Sequence, residues 1–237
     1  PDGYSLLLTV HAPIVMAPYL FANLPFDPTT DFTPIVALVE SKLGLAVASH
    51  VPVETVEELV EYARSNPVHF GSAGIGSAHH IAGEQINRAA GIEMVHVPYS
   101  GGGPAVQDLV GGHIEASFGT LVALLPHVES GDIRLIALVE NERWDEMPDL
   151  PTVAEVYPEV RRDNWIGILA PAGTPDAIVQ RIYEAAADAV QQPEIVQQLA
   201  NQGSVVVIRP PAEFQAEVLA QVERFGEIIP AVGIEPQ

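Results

Sequence analysis

The chain has 237 residues, 48% of them hydrophobic and 17% charged, which describes a globular protein with ample length for a packed core rather than a disordered one. Its 31 acidic residues against ten basic ones give a formal charge of −21, which excludes nucleic acid as a partner because phosphate binding requires a basic face. With no cysteine there are no disulfides, thiolate metal sites or cysteine nucleophiles. The longest apolar runs, such as Leu43 to Ala48 and Leu121 to Leu125, fall far below the ~20 residues of a membrane-spanning helix.

The run Tyr4 to Val10 reads as a buried strand near residue 1, with Thr9 and His11 at its end. A long apolar stretch follows near Phe32 to Ser49. Val51 to Arg64 places Val56, Leu59, Val60 and Ala63 at helical spacing, with Asn66-Pro67 as a stop. Val68-His69-Phe70 is a strand that feeds a glycine-dense turn, Gly71 to Ser77. Ser77 then caps a helix over 78–90, which Gly91 ends.

The cycle repeats, with Met94 to Val97 as a strand and Tyr99-Ser100-Gly101-Gly102-Gly103-Pro104 as the second turn. A helix is expected from Pro104 at its first position to Val110. His113 to Phe118 alternates as a strand ending near Thr120, and a short helix near 121–129 precedes a strand over 134–139. Thr152-Val153-Ala154-Glu155 is a capping box. Trp165 to Ala170 is a strand, and Thr174 and Pro175 fit the N-cap and first position of the next helix. Pro193 to Ala200, Ser204 to Ile208 and Pro211 to Ile229 complete the pattern as helix, strand and amphipathic helix. Such alternation predicts a mostly parallel α/β sheet.

A glycine-rich strand-to-helix turn lets backbone approach a ligand, and the free N–H groups of the following helix face negative charge. Backbone amides, the hydroxyls of Ser72 and Ser77 and a helix N-terminus suit a carboxylate, and the second turn adds Tyr99 and the amides of Gly101, Gly102, Gly103 and Ala105. Ser77 acting only as a helix cap, and Tyr99 packed with its hydroxyl capped locally, are the plainer readings. Asp108 is expected to make a structural hydrogen bond, since a carboxylate would repel an anionic ligand. His79-His80 with Glu84 invites a metal reading, but a third ligand is missing, and His80 at the helix start is better placed to donate to a carboxylate. A serine nucleophile at Ser72 or Ser77 lacks the G-x-S-x-G elbow.

Taken together, Asp2-Gly3-Tyr4, Leu24-Pro25-Phe26-Asp27, Asp31-Phe32-Thr33-Pro34-Ile35, the turn at 71–77, Val97-Pro98-Tyr99, Asp108-Leu109 with Gly111-Gly112, Pro148 to Glu155 and Ala170 to Pro175 resemble one family, in the same order along the whole chain. It is the Bug-type, or tripartite tricarboxylate transporter, solute-receptor family. The resemblance implies a type II periplasmic binding protein, α/β, with two lobes of mixed, mostly parallel sheets and a hinge. Lobe 1 would be residues 1–46 plus 164–237 and lobe 2 residues 47–163. Members ordinarily begin well upstream of the Asp-Gly-Tyr motif, so the resemblance also implies an incomplete first lobe here.

The implied function is extracytoplasmic, or periplasmic, capture of a small carboxylated metabolite by closure of the lobes and delivery to membrane permease subunits. The protein would be a monomer, without catalytic residues, cofactor or metal. The implied contacts are Ser72, Gly74, Gly76, Ser77, His80, Tyr99, Gly101, Gly102, Gly103, Ala105 and Thr120 from lobe 2, with Thr9 and His11 from lobe 1. A receptor that serves a signalling protein is the first alternative, and an enzyme on a similar α/β scaffold the second.

Overall fold

Two sheets account for the apolar runs. In the computed structural model, which describes residues 1–160, 162, 164–234 and 236, the chain order begins with β1 (Leu7–Val10), α1 (Ala12–Val15), α2 (Ala17–Leu20), β2 (Phe32–Ser41) and β3 (Leu43–Ala48). It continues through α3 (Val56–Ala63), β4 (His69–Ser72), α4 (Ala78–Ala90), β5 (Val95–Pro98), α5 (Gly102–Val110), β6 (Ala116–Thr120), α6 (Leu121–Glu129), β7 (Ile133–Leu138) and α7 (Val153–Val156). The last elements are β8 (Ile166–Pro171), α8 (Asp176–Val190), α9 (Pro193–Ala200), β9 (Ser204–Arg209) and α10 (Pro211–Ala231).

The chain forms two units, one of residues 1–41 with 163–237 and one of residues 42–162. The apolar stretch over Phe32 to Ser49 is two strands of two different sheets, divided at Lys42. The units divide there, at Ser41/Lys42. At Lys42, between the two strands, the ammonium reaches Glu140 Oε2 at 3.2 Å and the next amide, Leu43 N, donates to Glu140 Oε1 at 2.9 Å.

In the first unit the sheet has the order β1-β8-β2-β9, and every pairing is antiparallel. This departs from the mostly parallel expectation, because no strand–helix–strand crossover links two neighbours of this sheet. Strand β1 was expected to be buried but is an edge, paired to β8 alone, with Leu8 and Val10 67% and 45% exposed. Ile35, Val36, Ala170 and Val179 form part of this unit's core. Trp165 is fully buried edge-on to Phe214, and its indole N–H donates to Gln221 Oε1 at 2.9 Å. That bond explains why a polar Gln221 sits on the inner face of α10: a buried indole N–H requires an acceptor.

The second unit carries the order β5-β4-β6-β3-β7. Strands β4 and β5, and β4 and β6, pair parallel, while β3 pairs antiparallel with both β6 and β7. Four strands thus run one way and β3 alone runs back. Helices α4 and α5 are the crossovers of the parallel part, as parallel neighbours require.

Phe70 and Phe118 are fully buried, edge to face at 5.6 Å, in a core that also takes Leu45, Val47, Leu59, Ile86, Leu109 and Ile136. Burying one such side chain is worth about 1.5–3 kcal/mol. Helix α4 approaches β4 so closely that a Cβ on Gly83 would stand 2.3 Å from Phe70 Cε2.

Local signals are realised at several helix ends. Ser77 Oγ accepts from His80 N, Gly91 closes α4 with φ of 62°, and Thr152 with Glu155 forms a complete capping box. Two starts move by a residue or two. Helix α5 begins at Gly102, so Pro104 is its third residue, and α8 begins at Asp176 with Thr174 Oγ1 donating to Pro171 O instead of capping.

Candidate functional site

Strands β4, β5 and β6 run in one direction, so the turns that leave β4 and β5 and the end of β6 share the carboxyl edge of the second sheet. Open α/β sheets bind ligands beyond this edge. The two glycine turns lie side by side there. Tyr99 N donates to Ser72 O at 3.2 Å, and a Cβ on Gly74 would lie 3.3 Å from Tyr99 O. Gly74 and Gly76 have φ of 121° and 72°, a backbone that L side chains rarely adopt, which explains the glycines in this turn.

The hydroxyls and imidazole expected to face a ligand are engaged within the protein. Ser72 is fully buried; its Oγ accepts from Gly74 N at 3.0 Å and lies 2.6 Å from His96 Nε2. Ser77 Oγ is the cap of α4. His80 is buried, and its Nδ1 accepts from Gly76 N at 3.0 Å. That bond places the imidazole proton on Nε2, 3.7 Å from Glu84 Oε1. Tyr99 Oη donates to Asp108 Oδ2 at 2.7 Å, the structural role expected of Asp108. Burial and then the Asp108 bond push the phenol up to about 12, so it stays protonated.

These side chains hold the shape of the turn. His80 and His96 are stacked with centroids 3.7 Å apart and planes 13° from parallel, each bonded to the first glycine turn. Burial, followed by the neighbouring His80, lowers His96 to about 4, with Glu84 acting in the other direction. Burial raises Glu84, but hydrogen bonds from His80 and Asn87 outweigh it, so its pKa is lowered. His96 is therefore neutral at pH 7. His96 was not recognised in the sequence, where it is one residue of an alternating strand; its contact with Ser72 spans 24 positions.

Among the described residues no side chain caps α5, and Pro104 has no N–H, so the amides of Gly101, Gly102 and Gly103 are those without an intrahelical acceptor. The macrodipole adds positive potential at that point. A Cβ on Gly101 or Gly103 would meet nothing within 4 Å, so the helix start opens on free space. Thr120 ends β6 and begins α6 without a side-chain cap bond.

Thr9 and His11 belong to the first unit. Thr9 Oγ1 donates to Val10 O, while His11 is buried with its ring 6.4 Å from both Trp165 and Phe225. Among the described residues no cluster of three metal-ligating side chains occurs, and no helix is long and apolar enough to cross a membrane.

A second charged feature lies in the same unit. Glu140, 8% exposed, receives Lys42 Nζ, Leu43 N and a guanidinium nitrogen of Arg162. Lys42 and Arg162 are the first and last residues of the unit. Sequence reading missed this triad because its members are 98 and 22 positions apart.

The comparisons agree with this architecture. BugT of Bordetella pertussis is 29% identical over 236 residues, covering 98% of this chain and 72% of the relative. The periplasmic binding protein BugD superposes with a TM-score of 0.86 at 30% identity, covering all of this chain and 81% of that one. An R. palustris protein solved with adipate gives a TM-score of 0.89 at 29% identity, covering 100% and 80%. MatC from Rhodopseudomonas palustris, solved with malate, gives 0.82 at 29%, covering 97% and 80%. The model of the tripartite tricarboxylate transporter family receptor matches residues 1–234, and the chain belongs to that family.

Proposed function

We propose that this protein is an extracytoplasmic receptor for a small carboxylated metabolite, which it passes to the permease subunits of a tripartite transporter without chemical change. The observation that carries the reading is the uncapped, glycine-lined start of α5 beside the first glycine turn. Preorganised amides at a helix N-terminus hold a carboxylate at hydrogen-bond range, where the field of a chain of charge −21, screened beyond ~8 Å, has little effect. In this reading Gly74, Gly76, Gly101, Gly102 and Gly103 offer backbone, and Ser72, Ser77, His80 and Tyr99 keep that backbone in place. Similarity to proteins solved with adipate and malate favours a dicarboxylate as the first class to try.

The test is a thermal-shift and calorimetric screen of the full chain against adipate, malate and uncharged diols of matching length. A carboxylate at a hundred times its dissociation constant should stabilise the protein by about 2.7 kcal/mol, and the diols should not. Binding of the diols as tightly as the acids would remove the carboxylate reading.

A further inference from the structure

Helix α4 carries a carboxylate that the site does not use. Glu84 stands two turns into the helix, about 10 Å along its axis from Ser77, and so too far from the helix start to touch a ligand there. Its side chain is only 21% exposed, yet it is ionised at neutral pH, because burial raises its pKa but hydrogen bonds from His80 and Asn87 lower it further. A half-buried negative charge behind a site for anions, in a chain of charge −21, is a cost that calls for a role.

The contacts around Glu84 form a line that ends on the first glycine turn. Met94 N donates to Asn87 Oδ1 at 2.9 Å and Asn87 Nδ2 donates back to Met94 O at 3.0 Å, which fixes the side-chain amide. The same Nδ2 donates to Glu84 Oε2 at 3.2 Å, and Glu84 Oε1 lies 3.7 Å from His80 Nε2. At that separation the carboxylate is beyond a strong hydrogen bond, but its charge still favours an N–H on Nε2 over a bare lone pair. The other ring nitrogen of His80 is the acceptor for Gly76 N at 3.0 Å, and His80 N in turn donates to Ser77 Oγ. This is a capping box moved out by one residue, with an imidazole in the place of a glutamate, and it closes only while Nδ1 carries no proton. Stacking against His96 at 3.7 Å holds the plane of the ring.

We infer that Glu84, held by Asn87, is a positioning residue of the carboxylate site: acting through His80, it keeps the imidazole proton on Nε2 and Nδ1 open to the Gly76 N–H, and so holds the first glycine turn in shape. This rests on the carboxylate reading above.

The test combines nitrogen-15 spectra of the imidazole rings with calorimetry on the full chain at pH 7, using whichever of adipate and malate binds wild type more tightly. The variants are Glu84→Gln, Glu84→Met and Glu84→Ala, and His80→Gln identifies the His80 signals. Wild type should show His80 as the Nε2–H tautomer. Glu84→Gln keeps an acceptor and should keep the tautomer, with affinity within about twofold. Glu84→Met and Glu84→Ala lose the acceptor and should show mixed tautomers, faster exchange of the Gly76 amide and affinity lower by about fivefold, near the worth of one net hydrogen bond. Either of these two that circular dichroism shows to be folded decides the matter. A merely structural role would lower the melting temperature and leave the tautomer as it is. A wild-type proton on Nδ1, an unchanged tautomer or unchanged affinity in the variants without an acceptor, or an equal loss in Glu84→Gln, overturns the positioning role and leaves the carboxylate reading standing. Failure of both acids to bind wild type overturns both.

Discussion

Replacing Glu140 with alanine removes the shared acceptor of two buried cations and one backbone amide. At an effective dielectric of about 20, charges 3.2 Å apart, as in Lys42–Glu140, attract by about 5 kcal/mol before desolvation is subtracted. Arg162 adds a second such attraction from an equally buried position. The observable loss is smaller than their sum, because forming the pairs already costs desolvation. What Glu140→Ala leaves behind is Lys42 and Arg162 buried without a counter-charge, about 3–5 kcal/mol, and Leu43 N–H without an acceptor, about 1 kcal/mol more. A loss of about 4–6 kcal/mol is comparable with the whole stability of many domains, so Glu140→Gln serves as the milder variant. Glutamine keeps an acceptor for Leu43 N and should cost about half as much. Urea unfolding followed by circular dichroism at pH 7 measures both. A loss below about 1 kcal/mol for Glu140→Ala would show that water or another group takes over the two cations, and would refute the triad as a buried tie.

Two further outcomes follow from the neighbourhood of the first glycine turn. His96 and His79 are both held near 4 in the fold, chiefly by burial, whereas the unfolded chain takes up those protons near 6.5. The unfolded state binds more protons between these values, so stability is full above about pH 6.5 and is lost as pH falls toward 4. Urea midpoints measured across that window should decline, His96→Gln should make the decline shallower, and a flat profile would contradict the assignment. Gly83→Ala would place a methyl 2.3 Å from the ring of the fully buried Phe70, so α4 must lift from β4. The cost should be about 1–3 kcal/mol in unfolding experiments and should come with weaker carboxylate binding, since α4 carries Ser77 and His80; unchanged stability would mean that the ring has room to turn.

Much of this was legible where the cause lies within a few residues. Ser77, Gly91 and the Thr152–Glu155 pair announce helix ends because capping is a contact over one to four positions. The start of α5 misled the reading for the same local reason: Pro104 is a good first residue, yet two glycines before it also take helical backbone. Strand directions and burial were less legible. Nothing in Leu43 to Ala48 shows that β3 runs against its neighbours, and Leu7 to Val10 looks like core although its sequence cannot say what lies beside it. The glycines marked the turns as turns, since positive φ narrows the choice of residue. The roles of Ser72, His80 and Tyr99 were not readable, because each is settled by a partner that must first be brought into reach: His96, the Gly76 amide and Asp108.

The carboxylate of Glu140 binds both the residue by which the chain enters the second unit and the residue by which it leaves. Residues 42–162 therefore behave as a cassette with adjoining ends, the arrangement in which insertion and circular permutation are best tolerated. Joining those ends by a short linker and opening the cassette at an exposed loop would keep both glycine turns and the triad in one polypeptide, and would allow the proposed carboxylate contacts of this unit to be measured apart from the rest of the chain.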